Sequence, residues 1–103
     1  MNQPKCIVLV GMPGSGKTTV GRELAKRLGL RFVDSDHEIE LRTGVKIPTI
    51  FEIEGEDGFR KRETCTLDAL TQESGLVLAT GGGAVISPVN RQLMSGRGVV
   101  IYL

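Results

Sequence analysis

The residues best suited to chemistry lie in four places along the chain. The first runs from Gly11 to Thr18 and reads GMPGSGKT: glycine, four residues, glycine, lysine, threonine. This is the Walker A spacing. Its glycines let the backbone curl until the N–H groups converge on a phosphate, and a helix N-terminus behind the loop adds partial positive charge. In such a loop Lys17 reaches the outer phosphates of a nucleotide and the Thr18 hydroxyl meets Mg²⁺. The second place is Asp34-Ser35-Asp36, which offers two carboxylates as cation ligands or as acceptors for a reacting hydroxyl. The third is the charged run Arg60-Lys61-Arg62-Glu63, whose guanidiniums are planar forks of donors of the kind that suit a carboxylate. The fourth is Gly81-Gly82-Gly83, where the lack of side chains lets a polar ring lie against the backbone. Phosphoryl transfer asks for this kind of equipment, because it needs the phosphate and its acceptor held in line with cations nearby and little covalent work from the protein.

Each of these places is set by the elements around it. Residues 5–10, KCIVLV, form a short apolar run of buried-strand type before the loop, and residues 18–28 turn to helical spacing with Val20, Leu24 and Leu28 on one face and Gly29 as a cap. Residues 30–33 predict a second strand, whose carboxyl end carries the two aspartates, followed by a short helix over 37–43 that stops at Gly44. Ligands in open α/β sheets bind at the carboxyl ends of strands. A turn or helix from Ile47 to Glu54 is broken at Gly55, and the longest helix is expected over 56–73, with Phe59, Thr66, Leu67 and Leu70 on one stripe. Residues 76–80 predict a third strand running into the glycine triplet. Ser87-Pro88 then opens a helix to about Met94, with Gly96 and Gly98 closing it, and residues 99–103 predict a fourth strand. Strands alternating with helices imply right-handed βαβ units and a parallel sheet covered on both faces.

Composition narrows the function classes. Thirteen Lys and Arg against twelve Asp and Glu leave a formal charge of +1 over 103 residues, so no bulk basic field exists for non-specific nucleic-acid or membrane binding. Any anion is bound locally. No apolar run reaches membrane-spanning length and no signal peptide is evident, which makes the cytoplasm the expected compartment. Cys6 and Cys65 show neither CxxC nor metal-ligand spacing; reduced and mostly buried thiols are expected, with a structural disulfide as the weaker alternative. His37, the only histidine, is expected to face solvent.

Taken in order, the segments GMPGSGKTT at 11–19, FVDSD at 32–36, RTG at 42–44, IFEIEGEDGFRKRE at 50–63 and LATGGGAV at 78–85 resemble those of the shikimate kinases, and the resemblance covers nearly the whole chain. It implies a P-loop fold of three layers, α/β/α, around a parallel sheet, and an enzyme that phosphorylates the 3-hydroxyl of shikimate with MgATP on the way to the aromatic amino acids. It implies that Gly14, Ser15, Gly16, Lys17, Thr18 and Thr19 bind the nucleotide, that Thr18 and Asp34 serve Mg²⁺, and that Lys17 and Asp36 are catalytic. It further implies that Asp36, Arg60, Gly81, Gly82 and Gly83 bind shikimate, with Phe51 and Phe59 near its ring. In many P-loop proteins the strand before Gly81 ends in a magnesium-binding aspartate. Here it ends in Thr80, so the DSD carboxylates must supply that function.

The residues alone leave other readings open. Asp34 and Asp36 can simply cap the helix after them, Arg60 sits in a charged run of the kind that usually faces solvent, and three glycines can be only a turn. Residues 1–103 are expected to form a single P-loop kinase domain, monomeric, and incomplete at the carboxyl end, because the lid and last strands that the family carries have no counterpart in the sequence. Another small-molecule kinase of gluconate- or nucleotide-kinase type, or a catalytically silent nucleotide-binding fragment, are the alternatives.

Overall fold

A computed structural model describes residues 6–103. Lys5, which the sequence assigns to the first strand, lies outside the described residues. The elements follow the expected alternation: β1 (Cys6–Val10), α1 (Lys17–Leu28), β2 (Arg31–Asp34), α2 (Ser35–Thr43), α3 (Ile47–Thr71), β3 (Leu76–Ala79), α4 (Pro88–Arg97) and β4 (Val99–Tyr102), with one 3₁₀ turn at Ala84–Ile86. All strand pairs are parallel, in the order β2-β3-β1-β4. The register pairs Leu9 with Ala79 and Ala79 with Asp34. The segments that leave β1, β2 and β3 therefore emerge side by side at one edge of the sheet.

Both faces of the sheet are covered. Cys6, Val8 and Val10 alternate with Ile7 and Leu9, as a period of two requires. The first set packs with Leu76 and Leu78 against Leu67 and Leu70 of α3 and Met94 of α4. The second packs with Val77 against Ala25 and Leu24 of α1, beside Phe32. β1 and β3 are buried throughout, while β2 and β4 form the more exposed margins. Burying a large aliphatic side chain contributes about 1.5–3 kcal/mol, so the fully buried Leu9, Leu67, Leu76 and Leu78 fix the stack. A third, smaller cluster of Ile39, Ile50 and Phe59 joins α2 to α3 away from the sheet.

Several local expectations are corrected. In α1 the buried residues are Gly21 and Ala25, whereas Val20 and Leu28 are exposed. The helix lies too close to the sheet for large side chains there: a Cβ on Gly21 would stand 2.5 Å from Phe32 Cε1. α2 begins at Ser35 rather than His37, because Asp34 Oδ1 accepts the N–H groups of Asp36 at 2.9 Å and His37 at 3.2 Å. The break at Gly55 is present inside α3 (φ 73°, ψ −176°). Across it Phe51 stacks on Phe59 with centroids 4.7 Å apart, and Arg62 holds Glu54 through two bonds of 2.6 and 2.7 Å. Ser87 caps α4 as expected, its Oγ accepting the Asn90 N–H at 3.3 Å. The helix nevertheless runs through Gly96 to Arg97 and ends where Gly98, in extended backbone, passes the Cys6 carbonyl too closely for a side chain. Both thiols are free, but only Cys6 is buried, where burial and then Glu73 push it up to about 11; Cys65 is exposed on α3, against expectation. His37 is exposed, as expected.

Candidate active site

The carboxyl edge of the sheet opens into a cleft of about 400 Å³. Of the residues singled out in the sequence, Gly14, Gly16, Lys17, Thr18, Thr19, Asp34, Asp36, Gly81 and Gly82 line it, together with Thr80. Ser15 lies in the same loop but outside that lining, and Arg60 and Gly83 adjoin the cleft beyond Asp36 and Gly82. The register of the three strands explains the convergence, because Gly11, Ser35 and Thr80 each begin the segment that leaves its strand.

The loop wall is shaped for anions. Gly16 caps α1 in left-handed backbone with no side-chain hydrogen bond, which leaves the first amides of the helix free of side-chain acceptors. Lys17 Nζ donates to the Gly11 carbonyl at 2.5 Å and to the Met12 carbonyl at 3.0 Å, folding the ammonium over its own loop. Opposite stands Asp34. One carboxylate oxygen is engaged as the helix cap, and the other has no hydrogen bond among the described residues. Asp34 and Thr18 line the same cavity, and both offer hard oxygen donors. No three His, Cys, Asp or Glu side chains converge among the described residues. Such a sparse set fits Mg²⁺, which keeps several waters and takes one or two protein oxygens beside phosphates.

The far wall is packed more tightly. A Cβ on Gly81 would stand 2.7 Å from Asp36 Oδ1, one on Gly82 2.8 Å from Pro13 Cδ, and one on Gly83 2.5 Å from the Arg60 guanidinium. Three successive glycines thus face the carboxylate, the phosphate loop and the arginine in turn. At each position a Cβ would meet a neighbour, the Pro13 ring at Gly82 and the ends of the Asp36 and Arg60 side chains at Gly81 and Gly83, which would have to shift. Gly81 N–H donates to Ser35 Oγ at 3.3 Å, which ties the run to α2.

Asp36 is the electrostatic anomaly of the cleft. Its Oδ1 is buried without any hydrogen-bond partner. Burial first, then the negative charges of Asp34, Glu63 and Glu40, hold its carboxyl above the usual range, with Arg60 opposing. An orphaned acceptor of this kind is costly unless something else donates to it. Arg60, by contrast, is partly buried and steadied from three sides: Glu63 at 3.1 Å, Glu56 at 3.6 Å and the face of Phe59, 5.2 Å from ring centroid to guanidinium carbon. It is not a solvated charge.

Two residues here escape the sequence reading. Glu63, 1 % exposed, falls on the stripe of Phe59, Thr66, Leu67 and Leu70, so its position among apolar residues four and three apart was the available signal. Asn90, 0 % exposed, sits four residues before the buried Met94 on the inner face of α4. Its Nδ2 donates to Glu63 Oε1 at 3.3 Å and to the Ala84 carbonyl at 3.0 Å.

Known proteins match this arrangement. The sequence profile of the shikimate kinase family matches residues 13–103. A shikimate kinase of Aromatoleum aromaticum is 70% identical over 97 residues, covering 94% of this chain and 55% of that protein. One of Thiobacillus denitrificans is 63% identical over 103 residues, covering 100% of this chain and 56% of the relative. Among solved structures, shikimate kinase of Acinetobacter baumannii in complex with shikimate superposes with a TM-score of 0.96 at 59% identity, covering 99% of this chain and 56% of that one. The chain thus spans about half the length of the curated relatives it matches. The chain belongs to the shikimate kinase family and has its P-loop kinase fold.

Proposed function

We propose that the protein transfers the γ-phosphoryl group of ATP to the 3-hydroxyl of shikimate. The observation that carries this reading is the glycine triplet, which brings Asp36, the phosphate loop and Arg60 to one short stretch of backbone. A carboxylate-bearing ring held by the Arg60 fork against Gly81, Gly82 and Gly83 lays its hydroxyls toward Asp36. The free Oδ1 of Asp36 accepts the hydrogen of the reacting hydroxyl, which aims the oxygen lone pair at the phosphate and gives the proton a place to go. A carboxyl already held toward its protonated form is a better final proton acceptor than an ordinary surface aspartate. Lys17, released from the Gly11 and Met12 carbonyls, meets the outer phosphates, while Gly14, Ser15, Gly16, Thr18 and Thr19 cradle the chain of phosphates around the α1 terminus. Thr18 and Asp34 would hold Mg²⁺, which when bound offsets charge on the phosphate oxygens. The same reading takes residues 1–103 as one P-loop kinase domain acting as a cytoplasmic monomer; no helix among the described residues is long and apolar enough to cross a membrane.

The test is ADP release from MgATP with and without shikimate, on the purified protein and on Lys17→Ala. Release that depends on shikimate and is lost in the variant is the expected result. A folded protein that binds ATP yet shows no shikimate-dependent release would overturn the proposal.

A further inference from the structure

We infer that Asn90 is a positioning residue for substrate binding: its carboxamide holds the Glu63 carboxylate and the Ala84 carbonyl at a fixed separation, and so keeps the Arg60 fork aligned across Gly83. This rests on the reading of Arg60 as the group that grips the substrate carboxylate. Every polar atom of the Asn90 side chain is engaged. Nδ2 donates to Glu63 Oε1 at 3.3 Å and to the Ala84 carbonyl at 3.0 Å, and Oδ1 accepts from Thr64 Oγ1 at 2.7 Å. Its partner Glu63 is equally buried and accepts Arg60 Nη1 through both oxygens, at 3.1 and 3.2 Å. Ala84 directly follows the glycine triplet, and its N–H donates to the Gly81 carbonyl at 3.1 Å. One amide therefore touches both walls between which the guanidinium lies.

The placement is costly if it only fastens helices. Leu67, Leu70, Ala84 and Met94 already join α3, the glycine segment and α4 through apolar contacts, and an apolar residue of the same size at position 90 would serve that end without burying polar groups. What an apolar residue cannot do is orient a buried carboxylate. With Nδ2 in place, the Glu63 carboxylate is held by a second donor, which shares Oε1 with Arg60 Nη1. The two carboxylate oxygens are then presented as a pair to Arg60 Nη1, and Nη2, which makes no hydrogen bond among the described residues, lies against Gly83.

The experiment compares the purified protein with Asn90→Leu, Arg60→Ala and the double variant, recording the KM for shikimate, the KM for ATP, kcat and Tm. Asn90→Leu is expected to raise the KM for shikimate about tenfold while the KM for ATP and kcat stay within about twofold. The double variant is expected to bind shikimate no worse than Arg60→Ala alone, because Asn90 acts through Arg60. A lowered Tm with an unchanged KM for shikimate, or effects that multiply in the double variant, would overturn the inference. An Arg60→Ala protein with unchanged KM for shikimate would instead remove the carboxylate grip itself, an outcome distinct from failure at Asn90. Should Asn90→Leu not fold, Asn90→Asp keeps size and shape and the acceptor for Thr64 but withdraws both donors and adds a like charge beside Glu63. It is expected to raise the KM for shikimate by at least as much, and an unchanged value overturns the inference.

Discussion

The cleft has glycines on two of its walls, and they are there for different reasons. In the phosphate loop Gly14 (φ 83°) and Gly16 (φ 89°) adopt left-handed backbone, yet a Cβ on either would meet nothing within 4 Å. Gly81, Gly82 and Gly83 have no positive φ, yet a Cβ on each would strike a neighbour at 2.5–2.8 Å. One set is favoured by conformation, and the other lies where a side chain would displace its neighbours. The difference teaches that the loop wall is open and shaped by its own backbone, while the far wall is shaped by what leans on it from other elements.

The sharpest way to separate the two walls is to remove the proton-accepting carboxylate on the packed side. Asp36→Asn is expected to lower kcat by about 10²–10⁴-fold, with the KM for ATP nearly unchanged in steady-state assays. A drop of less than tenfold would reduce Asp36 to a spectator. Next in size, Gly83→Ala pushes the Arg60 guanidinium aside and is expected to raise the KM for shikimate about tenfold or more, again sparing ATP. If the loop wall responded instead, the division into two walls would collapse. Gly14→Ala is the converse case. It costs only left-handed strain, about 1–2 kcal/mol, so a roughly tenfold rise in the KM for ATP with shikimate unaffected is expected from the same assay.

The smallest effect concerns stability. The Asp36 carboxyl is raised above its unfolded value, so the folded chain holds that proton more tightly, and the stability this adds is lost as pH rises through the folded pKa. Wherever the group is ionised, its burial and the neighbouring negative charges oppose folding. Asp36→Asn is therefore expected to raise Tm at pH 7 and to lose that advantage below the ordinary aspartate range, as thermal unfolding at the two pH values would report. A variant that is inactive yet more stable is what a site adapted for function over stability yields.

Much of this was legible in the chain because the signals are local. The glycine loop, the strand before it, the Gly55 break, the Ser87 cap and the apolar stripe of α3 each follow from spacing within a few residues. On α1 the spacing finds Leu24, which packs, but not Gly21 and Ala25, which are buried yet carry little hydrophobic signal; Gly21 has no room for a side chain because Phe32 and Leu9 press on it. Glu63 and Asn90 were missed for a related reason. A charge or an amide on an apolar stripe looks like an interruption until the partners from another helix are known. The contact partners of the glycine triplet are also non-local. Asp36, Pro13 and Arg60 come from three separate segments, and only the folded register brings them to consecutive residues.

The folded-back Lys17 also bears on how loop variants are to be interpreted. Its ammonium donates to the Gly11 and Met12 carbonyls. Met12 also accepts the Ser15 N–H at 3.1 Å, so it keeps a partner when the lysine leaves, whereas the Gly11 carbonyl has no other among the described residues. On the proposed function, nucleotide binding exchanges the acceptors at that nitrogen. Under that proposal, deleting the amine does two things at once, withdrawing a charge from the phosphates and removing the contacts to the Gly11 and Met12 carbonyls, and a measured defect in such a variant is the sum of both.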